Sequence, residues 1–146
     1  MKKELSVKLN QYLANLGVEY IKLHNLHWNV VGINFKAIHE YLESLYDGVS
    51  DSLDSVAELL KMHDEVPAAS LKEYLSLSNI EELPSKELKG SDVLHIVLKD
   101  FKGFKALAEE IRLEADNDNL YDVVGLMESD LAQFNKSIWF IKAMLK

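Results

Sequence analysis

An all-α fold, arranged as a four-helix bundle with a crossover, follows from three features of the sequence. Four long stretches repeat apolar residues every three or four positions, the spacing of one helix face. Two prolines and six glycines among 146 residues leave little to interrupt them. The link between the second and third stretches, about 28 residues, is longer than adjacent antiparallel helices need.

The first stretch steps through Leu9, Tyr12, Leu16, Tyr20, Leu23 and His27 and stops near Gly32, a residue suited to a helix end. The second runs Phe35, Ile38, Leu42, Leu45, Val49, Leu53, Val56 and Leu60, closing before Pro67. The long link carries a short helix over Leu71–Leu77, opened by Ser70 with Glu73 three residues on, the capping-box pattern. The third stretch, Leu94, Val97, Phe101, Phe104, Ala108 and Ile111, follows Gly90 with Ser91 or Asp92 as its cap. The fourth runs Leu120, Val124, Met127, Leu131, Phe134, Ile138, Ile141 and Leu145, behind the cap candidates Asn117, Asp118 and Asn119.

Length, composition and charge narrow the function classes. A chain of this length forms one domain, residues 1–146, and buries roughly two-thirds of its unfolded surface. It has no cysteine, which excludes disulfides, thiolate metal sites and a cysteine nucleophile. No run approaches 18 apolar residues, and no apolar signal segment follows Lys2 and Lys3, so a cytoplasmic protein is expected. Acids outnumber bases 24 to 16, a net charge of −8 that repels phosphate and favours cations as ligands.

The second helix carries its own polar stripe: His39, Glu43, Tyr46, Ser50, Asp54 and Glu58. His39, Glu43 and Asp54 each follow an apolar stripe member by one position, about 100° round the helix, at the border of the core. An ordinary solvated flank has the same pattern, so spacing alone leaves both readings open. His27 lies in register with the apolar stripe of the first helix, and only Val30 to Asn34 separate the two helices. A tight antiparallel turn therefore brings His27 near His39. Two imidazoles with several carboxylates suit iron, manganese or zinc. Yet His39 and Asp54 are about 22 Å apart along a straight helix, too far for one metal. No Glu-x-x-His pair offers a di-iron site inside one bundle. If these residues share a centre, a second copy of the helix lies antiparallel beside the first, and a two-fold interface builds the site twice per dimer.

At these residues the chain resembles a known family. The stretch His24-Asn25-Leu26-His27-Trp28-Asn29-Val30-Val31-Gly32-Ile33-Asn34-Phe35-Lys36-Ala37-Ile38-His39-Glu40, followed by Asp54-Ser55-Val56-Ala57-Glu58, resembles the signature of the Dps mini-ferritins, DNA-binding proteins from starved cells. The likeness covers the whole chain in length and helix layout, and its specific part spans Leu23 to Leu60. The resemblance implies a ferritin-like bundle assembled into a hollow dodecamer, with an iron-oxidising centre of two irons across each two-fold interface. It implies His27, His39 and Glu43 as ligands from one subunit, with Asp54 and Glu58 from its neighbour. Asp54 and Glu58 would hold the tighter iron with His27 assisting, and His39 and Glu43 a weaker second one. Leu59 stands where the family's pattern has an arginine, removing a surface or interface contact but no ligand.

The implied reaction is ferroxidase chemistry: ferrous iron is oxidised, with hydrogen peroxide preferred over dioxygen, and the ferric product is stored. This protects against oxidative damage. Trp28 and Tyr46 are candidate traps for stray oxidising equivalents, and packing at an interface explains them equally well. Glu109, Glu110, Glu114, Asp116, Asp118 and Asp122 crowd the junction of the last two helices. The family lines three-fold pores with aspartates in this region, which makes Asp118 and Asp122 the pore candidates, although capping also suits them. His24, one turn before His27, is a candidate support for it, whereas His63 and His95 read as surface or capping residues.

Two other classes compete with this reading. DNA binding by the family resembles phosphate neutralisation through lysine-rich tails. Here Lys2 and Lys3 at the start and Lys142 and Lys146 at the end are the only such bases, so direct DNA binding is not expected. A non-catalytic helical oligomer would use the acids only as a solubilising face and would bind no stoichiometric metal.

Overall fold

The computed structural model describes residues 1–146. Four long helices form the bundle: α1 (Lys3–Asn29), α2 (Phe35–Met62), α4 (Gly90–Asn117) and α5 (Tyr121–Met144). The short α3 (Leu71–Leu77) sits in the crossover as expected. Its cap Ser70 accepts the Glu73 N–H at 3.3 Å and donates its hydroxyl to Glu73 Oε2 at 2.7 Å. Gly17 lets α3 close on α1, because a Cβ there would meet the Tyr74 ring at 2.4 Å.

The crossover ends in a feature with no local sequence signal. Val30–Val31 (β1) pairs in parallel with Leu88–Lys89 (β2), Val30 opposite Leu88. This pins the end of α1 to the start of α4. Between β1 and α2, Gly32 adopts φ +115°, a conformation open to glycine, and reverses the chain within five residues.

Two cap assignments differ from expectation. α4 starts at Gly90 behind Lys89, with no side-chain cap, so Ser91 and Asp92 lie inside its first turn. Asn117 to Asn119 finish α4 instead of opening α5. Asp118 is the C-cap, Asn119 takes the left-handed φ of 58°, and Leu120 precedes α5. Polar residues between two helices serve either end, and here the left-handed asparagine decides it.

The apolar stripes meet in one core, with Tyr12, Phe101, Phe104 and Phe134 at its centre. Phe104 stacks on Phe134 at 5.2 Å and takes the edge of Tyr12 at 5.8 Å. Leu59 belongs to this core and is 2% exposed, so the position without the family's arginine is interior here and not a surface contact. Leu53, by contrast, is only half-buried.

Two polar groups of side chains interrupt the core. Asp130 accepts the Tyr12 hydroxyl at 2.7 Å and the Ser52 hydroxyl at 2.9 Å, tying α1, α2 and α5 together. Across the α1–α4 seam, Glu19, Lys22 and Asp100 are all buried, with Lys22 Nζ 2.7 Å from Asp100 Oδ2. Burial, then the neighbouring Asp100 charge, pushes the Glu19 carboxyl well above its ordinary 4.5, with Lys22 pulling the other way.

Glu19 thus favours the neutral acid in the fold, whereas the unfolded chain ionises it. Its contribution to stability is full below 4.5 and is lost as pH rises through the native value. Glu19→Gln, an uncharged isostere, should raise the melting temperature near neutral pH by about 3 °C or more, the gain shrinking in acid. A thermal series showing no gain at neutral pH contradicts a neutral Glu19.

Candidate metal centre

The α1–α2 turn sets the first half of the site. The Nδ1–H of His27 donates to the His39 carbonyl at 2.6 Å, and the Nδ1–H of His39 donates to the His27 carbonyl at 2.7 Å. The rings stack 3.7 Å apart and within 12° of parallel. A carbonyl oxygen can only accept, so each Nδ1 must carry the hydrogen and each Nε2 keeps its lone pair. This is the arrangement that prepares an imidazole for metal, with the outer nitrogen fixed by backbone. Phe35 stacks on His39 at 4.9 Å and Tyr46 presents its edge to His27 at 5.3 Å.

Glu43 follows one turn after His39 on the exposed side of α2 and accepts the Tyr46 hydroxyl at 3.1 Å. Desolvation and then the Glu43 carboxylate hold the Tyr46 phenol above its ordinary value, so it remains a donor. His24 stacks on Tyr46 at 3.8 Å and donates its Nδ1–H to the Tyr20 carbonyl at 2.7 Å. It makes no hydrogen bond to His27 and meets Trp28 at 5.4 Å, at a tilt. Trp28 itself is 67% exposed.

The remaining two candidates lie further along α2. Asp54 and Glu58, one turn apart, both face solvent. The ion pairs of the chain involve neither. Because α2 is unbroken from Phe35 to Met62, His39 and Asp54 stay about 22 Å apart. No group of three or more His, Asp or Glu side chains in one chain comes together to hold a metal. The structure brings His27, His39 and Glu43 to one end of α2 and leaves Asp54 and Glu58 apart.

The acids at the α4–α5 junction are not a free cluster. Lys2 pairs with Asp118 at 2.6 Å, Lys8 with Glu114 and with Glu110 at 3.6 Å, and Arg112 with Asp116 at 3.2 Å. His63, the C-cap of α2, meets Asp122 at 2.9 Å, and Lys105 approaches Glu109 at 4.0 Å. The sequence reading missed these partners: Lys2, Lys8 and His63 come from the start of the chain and the end of α2, and Arg112 and Lys105 lie one turn before their acids on α4 itself. His95 donates to the Ser91 carbonyl one turn back and is exposed.

The fold and the comparisons with known proteins define the class. Residues 7–146 match the ferritin family, described as a ferritin-like domain, and the chain belongs to it. Within that class it is a member of the Dps family. It is 34% identical over 145 residues to the DNA protection during starvation protein of Brevibacillus brevis, covering 97% of this chain and 95% of that protein. It is 39% identical over 140 residues to antigen TpF1 of Treponema pallidum, covering 95% of this chain and 78% of that one. The crystal structure of TpF1 superposes with a TM-score of 0.96 over 98% of this chain and 92% of that chain, at 36% identity. A Vibrio cholerae Dps protein, described as a member of a broad superfamily of ferritin-like diiron-carboxylate proteins, gives 0.94 at 25% identity, over 99% and 90% of the two chains.

Packing separates the two halves of the site energetically. His39→Ala removes a ring stack and takes the His39 Nδ1–H from the His27 carbonyl, while the backbone carbonyl at 39 still accepts from His27, costing about 1–3 kcal/mol. Asp54→Ala removes an exposed carboxylate and stays within about 0.5 kcal/mol of wild type. Urea titrations of the metal-free protein distinguish these, and equal costs would contradict the reciprocal histidine pair.

Proposed function

We propose that the protein is a cytoplasmic mini-ferritin that oxidises ferrous iron, preferably with hydrogen peroxide, and stores the ferric product inside a dodecameric shell. Each centre takes His27, His39 and Glu43 from one protomer and Asp54 and Glu58 of the partner subunit. The observation that carries this is the pair of half-sites on one straight helix, neither of which can surround an ion alone. A two-fold axis beside α2 supplies each half with its complement and makes two centres per dimer.

Surface features support an assembled state. The chain exposes 8195 Å², above the roughly 7,600 Å² that area scaling gives a monomer of this mass. Trp28, Ile21 and Phe35 are large apolar residues exposed around the first half-site. Relatives carrying the starvation-protection name, and the Vibrio cholerae protein described as diiron-carboxylate, favour iron and stress protection as the role.

Two adjacent ferrous ions supply one electron each. Hydrogen peroxide takes both, with two protons, and becomes two waters, so no hydroxyl radical is released by a one-electron step. The contribution of the chain is to hold neutral imidazoles and carboxylates in place before the ions arrive. Imidazole binds metal only when uncharged, so protons compete with iron for these ligands. Tyr46 and Trp28 lie beside the histidines, where stray oxidising equivalents would arise. Asp118 and Asp122, each held by a basic partner at the α4–α5 turn, are the pore residues in this reading.

In stopped-flow oxidation with peroxide, Asp54→Ala/Glu58→Ala is expected to slow the ferric signal by about 100-fold or more. Unchanged kinetics remove the assignment, and a wild-type protein that binds no stoichiometric ferrous iron points to the purely structural oligomer. DNA binding is not part of the role. Twelve copies at −8 carry about −96 in all, which repels phosphate most strongly at low salt. A gel shift at low ionic strength should leave duplex DNA unretarded, and retardation would contradict this.

A further inference from the structure

His24 lies outside the proposed ligand set, yet its ring is held by the same kind of bond as His27 and His39. Its Nδ1–H donates to the Tyr20 carbonyl at 2.7 Å, and its face stacks on Tyr46 at 3.8 Å, 23° from parallel. Tyr20 and His27 meet the Tyr46 ring edge-on, at 6.1 Å and 5.3 Å. Three residues at one-turn spacing on α1 thus clasp one side chain of α2. From that clasp the Tyr46 hydroxyl reaches Glu43 Oε1 at 3.1 Å.

Glu43 is exposed, makes no other hydrogen bond and joins no ion pair. A long exposed carboxylate samples several rotamers, and freezing it on a metal costs conformational entropy. A tyrosine three residues on does little about this when its own ring is free to move. Here the ring is fixed from the other helix, so its hydroxyl is a stationary donor. It engages Oε1 and leaves Oε2 uncommitted. Hydrogen bonds of this kind orient the carboxylates of metal sites. Packing accounts for the stacked rings, but it does not require the phenol to face Glu43.

We propose that His24 and Tyr46 are positioning residues for the metal centre. His24 fixes the Tyr46 ring, and the Tyr46 hydroxyl presets Glu43 to hold the weaker of the two irons. The inference rests on the shared centre proposed above. It assigns His24 to Glu43, through Tyr46, and not to His27.

The test titrates the full-length protein anaerobically with Co(II), a stand-in for ferrous iron that accepts the same imidazole and carboxylate ligands. Wild type is expected to bind a tighter and a weaker Co(II) at each centre. Tyr46→Phe and His24→Ala each weaken the second ion about tenfold and leave the first unchanged. His24→Phe, which keeps an aromatic face and loses the nitrogens, binds both as wild type does. In metal-free crystals Glu43 holds one conformer in wild type and spreads over several in Tyr46→Phe. A Tyr46→Phe protein that binds the second ion normally, weakens both ions alike or keeps Glu43 ordered overturns the proposal. A His24→Phe protein as weak as His24→Ala overturns the part given to His24. If His24→Ala does not fold, Tyr46→Phe and His24→Phe decide. The shared centre fails separately, if wild type holds no Co(II) or Asp54→Ala/Glu58→Ala keeps the tighter ion, and the Glu43 conformers then still decide the positioning.

Discussion

A straight helix cannot bring its two ends to one ion. α2 runs unbroken from Phe35 to Met62, and its solvent edge carries imidazole and carboxylate near the start and carboxylates further on. The rise of 1.5 Å per residue keeps these groups several coordination shells apart whatever their rotamers. Chemistry that needs them together must therefore be completed from outside the chain. A second α2 running the other way does this with no change in either fold.

The α1–α2 turn prepares one half of that arrangement. Gly32 reverses the chain so tightly that His27 and His39 lie face to face, each ring bonded to the other's carbonyl. The same two hydrogen bonds hold the helices in register and select the tautomer that leaves Nε2 available. Structural support and the proposed ligand role coincide at these histidines. At Asp54 and Glu58 they part company, because nothing in the chain engages those side chains. The bundle core, meanwhile, contains its own carboxylates at Glu19 and Asp100, with a lysine already beside them.

Much of this was legible in the sequence because helical period follows directly from which face is buried. The four long helices, the crossover and the Ser70–Glu73 cap were all readable, and so was the impossibility of an intrachain site. Cap residues at Ser91 and at Asn117 to Asn119 were misjudged because the apolar period fades at helix ends and a polar residue there serves either direction. The β1–β2 pair joins Val30 to Leu88 through two residues a side, too few for a local pattern. Glu19, Asp100 and Asp130 did leave a signal. Each sits three residues after an apolar stripe member (Leu16, Val97 and Met127), so a charge was falling on the core face. Among the basic partners of the junction acids, Lys2, Lys8 and His63 were not readable because they come from distant parts of the chain, whereas Arg112–Asp116 and Lys105–Glu109 are one-turn pairs that the helical spacing did offer.

Mixing crippled subunits gives the most direct view of whether the centre is shared. Chains lacking His27 and His39 and chains lacking Asp54 and Glu58 are co-assembled in equal amounts. Every mixed dimer then holds one centre built entirely from intact residues, so random pairing restores about one quarter of wild-type sites and their peroxide-dependent ferrous oxidation. Each variant assembled alone stays inactive. A co-assembled shell confirmed to contain both chains, yet no more active than either parent, would contradict a centre divided between neighbours.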